Sequence, residues 1–290
     1  MSDKEQNIIN WFPGHMTKSL REIESNLTLA DVVIYVLDSR APFSCLNPSF
    51  DSVVRNKPIV YVLNKADLVP FDALKVIVGK LSRENRYAVA VNATASNSTK
   101  VLMPIIEKLA QAKVEKYKAK GLNASLRGMV IGVPNCGKST LINNAAAKAK
   151  TKTGNKPGVT RGQQWVRVNE KFELLDTPGT LYPKLINREV GLNLAFIGSV
   201  KDEVVDSVEL AAELIKTLFR LDKNALVERY GIEFAMPLDV EFVLESIAVK
   251  RGFLIRGGEK DLEKAAKAII DDFRKGRLGK IILDDYKRII

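Results

Sequence analysis

The stretch that most constrains the fold is residues 128–140, which read Gly-Met-Val-Ile-Gly-Val-Pro-Asn-Cys-Gly-Lys-Ser-Thr. The apolar residues 129–131 predict a short buried strand, and helix-forming sequence begins at Thr140. Between them, the spacing G-x-x-x-x-G-K-[ST] is typical of a loop that wraps phosphate groups, because glycines let successive backbone N–H groups turn toward an anion. A strand, a glycine-rich loop and a helix in this order predict a P-loop domain.

Side chains of this loop are expected to bind a nucleoside triphosphate and to act on its phosphates. The Lys138 ammonium can reach the β- and γ-phosphates and act in catalysis, and the Ser139 hydroxyl can ligand Mg²⁺. The N-terminus of the following helix adds a favourable dipole. The loop residues predicted to contact the nucleotide are Asn135, Cys136, Gly137, Lys138, Ser139 and Thr140.

A second apolar run, Ile59–Leu63, delivers Asn-Lys-Ala-Asp at its C-terminal end, where open parallel sheets place ligand-binding loops. Asp67 can accept from the N1–H and amino group of guanine, Asn64 can donate to N7, and the Lys65 stem can cover the ring. Adenine would leave the Asp67 carboxylate unpaired, so the motif favours guanine. Taken alone, these residues would also fit a helix-capping turn.

Two more apolar runs belong to the predicted sheet. Val32–Leu37 reads as a strand buried on both faces, which is typical of a parallel sheet. Tyr87–Val91 leads into Asn92 and Ala93, and this position suits a second loop at the base, with the Ala93 N–H near guanine O6.

The remaining nucleotide motifs follow the phosphate loop. Trp165–Val168 and Phe172–Leu175 read as a hairpin whose second strand ends in Asp-Thr-Pro-Gly. Asp176 would hold Mg²⁺, and the Gly179 N–H would sense the γ-phosphate. The basic stretch 148–162 predicts a loop, and its Thr160 could place a hydroxyl on Mg²⁺ and contribute to catalysis when a γ-phosphate is present.

The order of these motifs differs from that of a conventional GTPase, which begins with the phosphate loop. Here the guanine motif comes first, so the set predicts a circularly permuted α/β GTPase with a mostly parallel sheet and flanking helices. We assign it to residues 1–182, and residues 183–290 to an all-helical domain that binds RNA. The helices predicted in that domain are 189–200, 203–220, 239–250 and 261–275.

The charge is concentrated in the nucleotide-binding part. The chain carries a net charge of +11 with a pI near 9.5, which suggests a polyanionic partner. Residues 184–290 hold 19 basic and 19 acidic side chains, so the excess lies in residues 1–183. The excess fits either a lysine-rich solvated surface or a surface that faces nucleic acid.

Composition also excludes several classes of protein. No apolar run approaches the ~18–20 residues that a membrane span needs, and the N-terminus lacks the apolar core of a signal peptide. The two cysteines, Cys45 and Cys136, are too few for a disulfide framework or a four-ligand zinc site. We therefore expect reduced thiols and a cytoplasmic location.

With these motifs in this order, the chain resembles a known family, the ribosome biogenesis GTPase A family (RbgA/YlqF). The resemblance covers nearly the whole chain. It rests on the motif order and on the strings Trp-Phe-Pro-Gly-His-Met (11–16), Asp-Ser-Arg-Ala-Pro (38–42), Asn-Lys-Ala-Asp (64–67), Gly-Val-Pro-Asn-Cys-Gly-Lys-Ser-Thr (132–140), Gln-Gln-Trp-Val (163–166), Asp-Thr-Pro-Gly (176–179), Gly-Leu-Asn-Leu-Ala-Phe-Ile-Gly-Ser-Val-Lys-Asp (191–202) and Phe-Arg-Lys-Gly-Arg-Leu-Gly-Lys (273–280).

The motifs predict binding of GTP and GDP with Mg²⁺. The resemblance implies a GTPase that assists late assembly of the large ribosomal subunit, binds rRNA and has its activity raised by the ribosome. We expect a monomer that does not use DNA. The resemblance implies that His15, the only histidine, positions the attacking water. It also implies that Asn135 takes part in a K⁺ site that bridges the phosphates. Thr180 stands where the family usually has an apolar residue, a small departure from its pattern.

Two other functions fit the same motifs. One is a permuted GTPase that acts on the small subunit, although members with a zinc site need more Cys and His than this chain contains. The other is an RNA-binding scaffold that holds GTP without hydrolysing it. Measuring phosphate release with and without ribosomal subunits separates the scaffold from an enzyme.

Overall fold

The structure of the chain is a computed structural model. The residues that the structure describes are 21, 23–54, 57–95, 98–121, 125–153, 165–181, 187–233 and 237–288. Two predicted site residues, His15 and Thr160, lie outside these ranges, and their roles stay predictions.

A six-stranded sheet forms the first part of the structure. Its strands are β1 Val32–Asp38, β2 Ile59–Asn64, β3 Arg86–Ala90, β4 Leu126–Ile131, β5 Trp165–Asn169 and β6 Phe172–Asp176. Their order across the sheet is β3-β2-β1-β4-β6-β5, and every neighbouring pair is parallel except the β5–β6 hairpin. The predicted permuted, mostly parallel α/β fold is confirmed.

The strand register brings the sequence motifs to one edge of the sheet. β1 and β2 are buried along their whole length, as their uninterrupted apolar runs predict. Asp38 at the end of β1 pairs in register with Asn64 at the end of β2, and Val130 in β4 pairs with Asp176 in β6. Parallel strands share a carboxyl edge, so the loops that follow β1, β2, β4 and β6 meet there.

Helices pack around this sheet. They are α1 Pro48–Val54, α2 Phe71–Leu81, α3 Ser98–Leu109, α4 Gln111–Lys118 and α5 Lys138–Thr153. The single helix predicted over 99–120 is wrong, because the chain leaves helical geometry at Ala110 (φ −95°, ψ 7°), whose side chain is buried. The loop predicted from residue 148 is also wrong in part, because α5 continues to Thr153.

The second part of the described chain is helical, as predicted. Its helices are α6 Arg188–Phe196, α7 Ser207–Asp222, α8 Asn224–Tyr230, α9 Val240–Arg251 and α10 Leu262–Arg274. Asp206, Asp239 and Asp261 cap the N-termini of α7, α9 and α10 by accepting from backbone N–H groups. Helix α8 was not predicted. Among the described residues, no helix is long and apolar enough to cross a bilayer.

The last described residues pack on the loop that follows β1. The backbone N–H of Leu283 donates to Arg40 O at 2.7 Å, and the Asp284 carboxylate accepts from the backbone N–H groups of Phe43 and Ser44. Asn193 in α6 donates to the same carboxylate at 3.2 Å. Burial raises the pKa of Asp284 even though these donors favour its charged form. This segment therefore contacts the loop that follows β1, although the boundary predicted at residue 182 assigns it to the helical domain.

Candidate nucleotide-binding site

The phosphate loop has a backbone that requires glycine at two points. Gly132 has φ +150° and Gly137 has φ +100°, and Asn135 between them also has positive φ, at 58°. A Cβ at Gly132 would lie 2.4 Å from Val36 O, and one at Gly137 would lie 2.1 Å from Asn64 Nδ2. The loop therefore approaches the ends of β1 and β2 so closely that a side chain would not fit.

Lys138 begins α5 and lies with its ammonium inside the loop. Its Nζ donates to Gly132 O at 3.1 Å and to Val133 O at 2.9 Å, and the residue is only 6% exposed. A buried ammonium of this kind is held by carbonyl dipoles that a phosphate oxygen can replace.

Ser139 and Asp176 form the candidate Mg²⁺ site. The Ser139 hydroxyl donates to Asp176 Oδ2 at 2.9 Å, while Asp176 Oδ1 is buried without a hydrogen-bond partner. A buried carboxylate oxygen without a hydrogen-bond partner is a suitable ligand for a cation. Within the described ranges, no group of three or more His, Cys, Asp or Glu could hold a metal. Mg²⁺ usually takes one or two protein ligands together with phosphates and water.

The segment after Asp176 packs directly on the phosphate loop. A Cβ at Gly179 would lie 2.7 Å from Pro134 Cα and 3.0 Å from Lys138 Nζ, so only glycine fits without movement of the loop. The next residue, Thr180, is fully buried, and its N–H donates to Gly132 O at 3.3 Å. Its hydroxyl has no partner, which is a cost that an apolar residue at this position would avoid.

Asn64 joins the phosphate loop to the predicted base loop. Its Nδ2 donates to Cys136 O at 2.7 Å, and its Oδ1 accepts from the Ala93 N–H at 2.8 Å. The sequence predicted that this N–H lies near guanine O6. The structure differs, because Asn64 takes that donor. Its other Nδ2 hydrogen is the one that remains for the predicted bond to N7.

The other residues of the base site differ in how firmly they are held. Lys65 has a left-handed backbone (φ 58°), and its Nζ donates to Asn135 O at 3.1 Å and pairs with Asp38 Oδ2 at 2.8 Å. Asn92 organises its own turn by accepting from the N–H of Thr94 at 2.9 Å. Asp67 is exposed in a short 3-10 helix, as a residue that reads a base requires.

Asn144 in α5 supports the base loop and was missed from the sequence. Its Nδ2 donates to Ala93 O at 2.9 Å and to Ala95 O at 3.0 Å. The only signal in the sequence is a polar residue beside the buried Ala145 in a helix that packs on the sheet. Nothing in that signal indicates the partner, because the two segments lie about fifty residues apart.

Asn135 connects the phosphate loop to the helical region. Its Nδ2 donates to Gly198 O at 2.6 Å, and the neighbouring Pro134 O accepts from the Ser199 hydroxyl at 2.8 Å. The amide Oδ1, the atom that could coordinate K⁺, is not the one used in the bond to Gly198. A cleft of about 480 Å³ opens here, lined by Asn135, Ile197, Gly198, Val200, Lys201, Asp202, Glu203 and Arg274.

Both cysteines are buried free thiols, and Cys136 lies in the loop itself. Burial raises the pKa of Cys136, and burial together with the Asp38 charge raises that of Cys45 further. Neither thiol is therefore a candidate nucleophile.

Comparison with known proteins agrees with this geometry. A family described as 50S ribosome-binding GTPase matches residues 127–231. Ribosome biogenesis GTPase A of Bacillus cereus is 37% identical over 278 residues, which cover 96% of this chain and 94% of that protein. The chain belongs to the ribosome biogenesis GTPase A family. It is a GTPase, and the permuted motif order is a property that it shares with this family.

Further relatives come from bacteria and from a mammal. Ribosome biogenesis GTPase A of Bacillus licheniformis is 38% identical, covering 94% of this chain and 96% of that protein. Mitochondrial ribosome-associated GTPase 1 of Bos taurus is 35% identical over 96% of this chain and 89% of its own. A crystal structure of GNP-bound YlqF from T. maritima superposes with a TM-score of 0.65 at 26% identity, covering 94% of this chain and all of that one.

Proposed function

We propose that this ribosome biogenesis GTPase hydrolyses GTP to drive a late step in assembly of the large ribosomal subunit. The observation that carries the proposal is the convergence of Lys138, Ser139 and Asp176 at the sheet edge where Asn64 bonds the phosphate loop. The names of the relatives, which span nearly the whole chain, support the ribosomal setting.

The proposed reaction is direct attack of water on the γ-phosphate, without a covalent enzyme intermediate. Lys138 exchanges its loop carbonyls for β- and γ-phosphate oxygens and stabilises the charge that develops on them. Ser139 and Asp176 would hold Mg²⁺, which neutralises phosphate charge when it is bound. Gly179 lies against the loop and would report the γ-phosphate through its N–H.

Three roles rest on the family resemblance and on chemistry. His15 would accept a hydrogen bond from the attacking water, because a neutral imidazole is available near pH 7. Thr160 would add its hydroxyl to the Mg²⁺ site. Asn135 would use Oδ1 to help hold K⁺, which would supply positive charge in place of an arginine.

The proposed partner is precursor large-subunit rRNA rather than DNA, bound by a monomer in the cytoplasm. The net charge of +11 supports a polyanion, because neutralised phosphates release counterions. The helical region follows directly from the Asp176–Gly179 segment and contacts the phosphate loop at Asn135, so its orientation can respond to the nucleotide.

Co-sedimentation with separated ribosomal subunits tests the proposal. The protein is incubated with a GTP analogue, with GDP or without nucleotide. We expect it to pellet with the large subunit when the analogue is bound. Binding to the small subunit instead would favour the alternative permuted GTPase. Binding to ribosomal RNA without any phosphate release would favour the scaffold.

A further inference from the structure

The string Asp-Ser-Arg-Ala-Pro (38–42) follows β1 at the same sheet edge, and the proposed reaction makes no use of it. Arg40 in this string is 2% exposed. Its Nε donates to Asp38 Oδ1 at 2.9 Å and its Nη2 to Asp38 Oδ2 at 2.7 Å, a two-pronged pair in the protein interior. A buried ion pair of this kind fixes both side chains, because breaking it leaves an uncompensated charge.

Asp38 also contacts the nucleotide loops. Its Oδ2 pairs with Lys65 Nζ at 2.8 Å, and the same Nζ donates to Asn135 O at 3.1 Å. Burial would raise the pKa of Asp38, but the hydrogen bonds and charges of Arg40 and Lys65 outweigh it and lower that pKa. The aliphatic stem of Lys65 is predicted to cover guanine. Its ammonium is therefore held in place by the Asp38 carboxylate, which stays charged.

On its other side, Arg40 contacts the end of α10. Its Nη1 donates to Phe273 O at 3.2 Å and to Arg274 O at 3.0 Å, and the guanidinium lies 5.4 Å from the centre of the Phe273 ring. These are among the last carbonyls of the helix, where the dipole is negative and a cation is favoured. One guanidinium thus satisfies both Asp38 and the helix end.

Arg274 fixes this helix end against α6. Its Nη2 donates to Ala195 O at 2.9 Å and its Nε to Phe196 O at 3.2 Å, while Asp202 accepts from both of its Nη atoms. Gly198, two residues after α6 ends, accepts from Asn135. The end of α10 and the phosphate loop are therefore connected by two separate sets of contacts. One set runs through Arg40 and Asp38 to Lys65, and the Arg40–Asp38 bonds in it are buried. The other set runs through Arg274 and α6 to Asn135.

We propose that Arg40 is a positioning residue for the guanine nucleotide, acting through Asp38 on Lys65. Because the same guanidinium holds the C-terminal end of α10, nucleotide binding and docking of that helix end stabilise each other. The inference rests on the part of the proposed function that places guanine at Asn64–Asp67. It assigns no contact between Arg40 and the nucleotide.

The test compares Arg40→Lys with Arg83→Lys, the same change at an exposed position. Lysine keeps the positive charge but has a single nitrogen in place of the three of the guanidinium. It therefore cannot donate to Asp38 and to the α10 carbonyls together. At a temperature where both variants are fully folded, we expect Arg40→Lys to raise the Kd for GDP roughly tenfold, within the usual range of coupling between sites. We expect Arg83→Lys to leave it unchanged.

Amide hydrogen exchange gives a second readout that loss of stability alone would not change. GDP should slow exchange at the Gly276 and Arg277 amides, which bond to Phe273 O and Asp272 O at the end of α10. Arg40→Lys should abolish this response. Lys65→Met should abolish it too, at a GDP concentration that saturates this variant.

Several outcomes would overturn the inference. One is equal GDP affinity in the Arg40 and Arg83 variants, and another is a GDP response at α10 that persists in Lys65→Met. If Arg40→Lys does not fold, the response of Lys65→Met at saturating GDP decides, since this variant leaves the Arg40–Asp38 pair intact. These measurements need no ribosome, so they can fail while large-subunit binding succeeds. Failure of the wild type to bind GDP would instead contradict the proposed function, and with it this inference.

Discussion

Replacing Asn144 by alanine tests the geometry of the base site most sharply. The side chain gives two hydrogen bonds, to Ala93 O and Ala95 O, and alanine gives neither. Each bond contributes about 0.5–1.5 kcal/mol net, so the pair is worth ~1–3 kcal/mol. Without them the loop relaxes in the free protein, and nucleotide binding has to restore its conformation.

That restoration is measured as a loss of affinity. A penalty of about 2 kcal/mol corresponds to a roughly thirtyfold increase in Kd, because each 1.4 kcal/mol is tenfold. We expect this increase for GDP and GTP alike, since Ala93 and Ala95 lie at the predicted base end of the site. Turnover at saturating GTP should stay close to wild type, because Lys138, Ser139 and Asp176 are unchanged.

The assay is a fluorescence titration with a labelled guanine nucleotide. Asn143→Ala is the matched control, because it makes the same change one residue earlier, at an exposed position of the same helix. Both variants gain the helix propensity of alanine, so that gain cancels in the comparison. Equal Kd values for the two variants, within a factor of two, would show that Asn144 does not hold the base loop.

Three further predictions concern other parts of the molecule. His15→Ala should keep GTP affinity but lose much of the ribosome-stimulated phosphate release, and unchanged stimulation would remove its proposed role. Asp176→Asn should abolish the difference in GTP affinity between Mg²⁺ and EDTA buffers, and a wild-type difference would place the metal elsewhere. Burial raises the pKa of Asp272, but hydrogen bonds from Arg229, Arg277 and Tyr230 outweigh it and lower that pKa to about 2 from 3.8. The stability from its ionised form is therefore complete above about pH 4 and is lost as the pH falls toward 2, so urea unfolding between pH 5 and 3 should show a smaller loss for Asp272→Asn than for wild type.

The sequence predicts the sheet well because its signals are local. Buried runs such as Val32–Leu37 carry no polar interruption, and glycines in the phosphate loop have a backbone that other residues rarely adopt. Once the loop and the Asp176 motif are assigned to strand ends, the parallel register brings Ser139 and Asp176 together. That part of the site therefore follows from local sequence patterns.

The contacts that organise the site are long-range, and local patterns do not predict them. Arg40 and Phe273 are 233 residues apart, and no periodicity links them. The Ala93 N–H was predicted for the base, but it bonds Asn64, a choice that depends on how two loops approach each other. The break at Ala110 likewise has no local signal, because helix-forming residues lie on both sides of it.

The rate of phosphate release tests most directly whether the protein hydrolyses GTP in response to the large ribosomal subunit. Phosphate release should be measured with the protein alone, with purified large subunits and with purified small subunits, at equal concentrations and saturating GTP. We expect slow release from the protein alone and clear stimulation by the large subunit only. Stimulation by the small subunit instead, or no release under any of the three conditions, would contradict the proposed function.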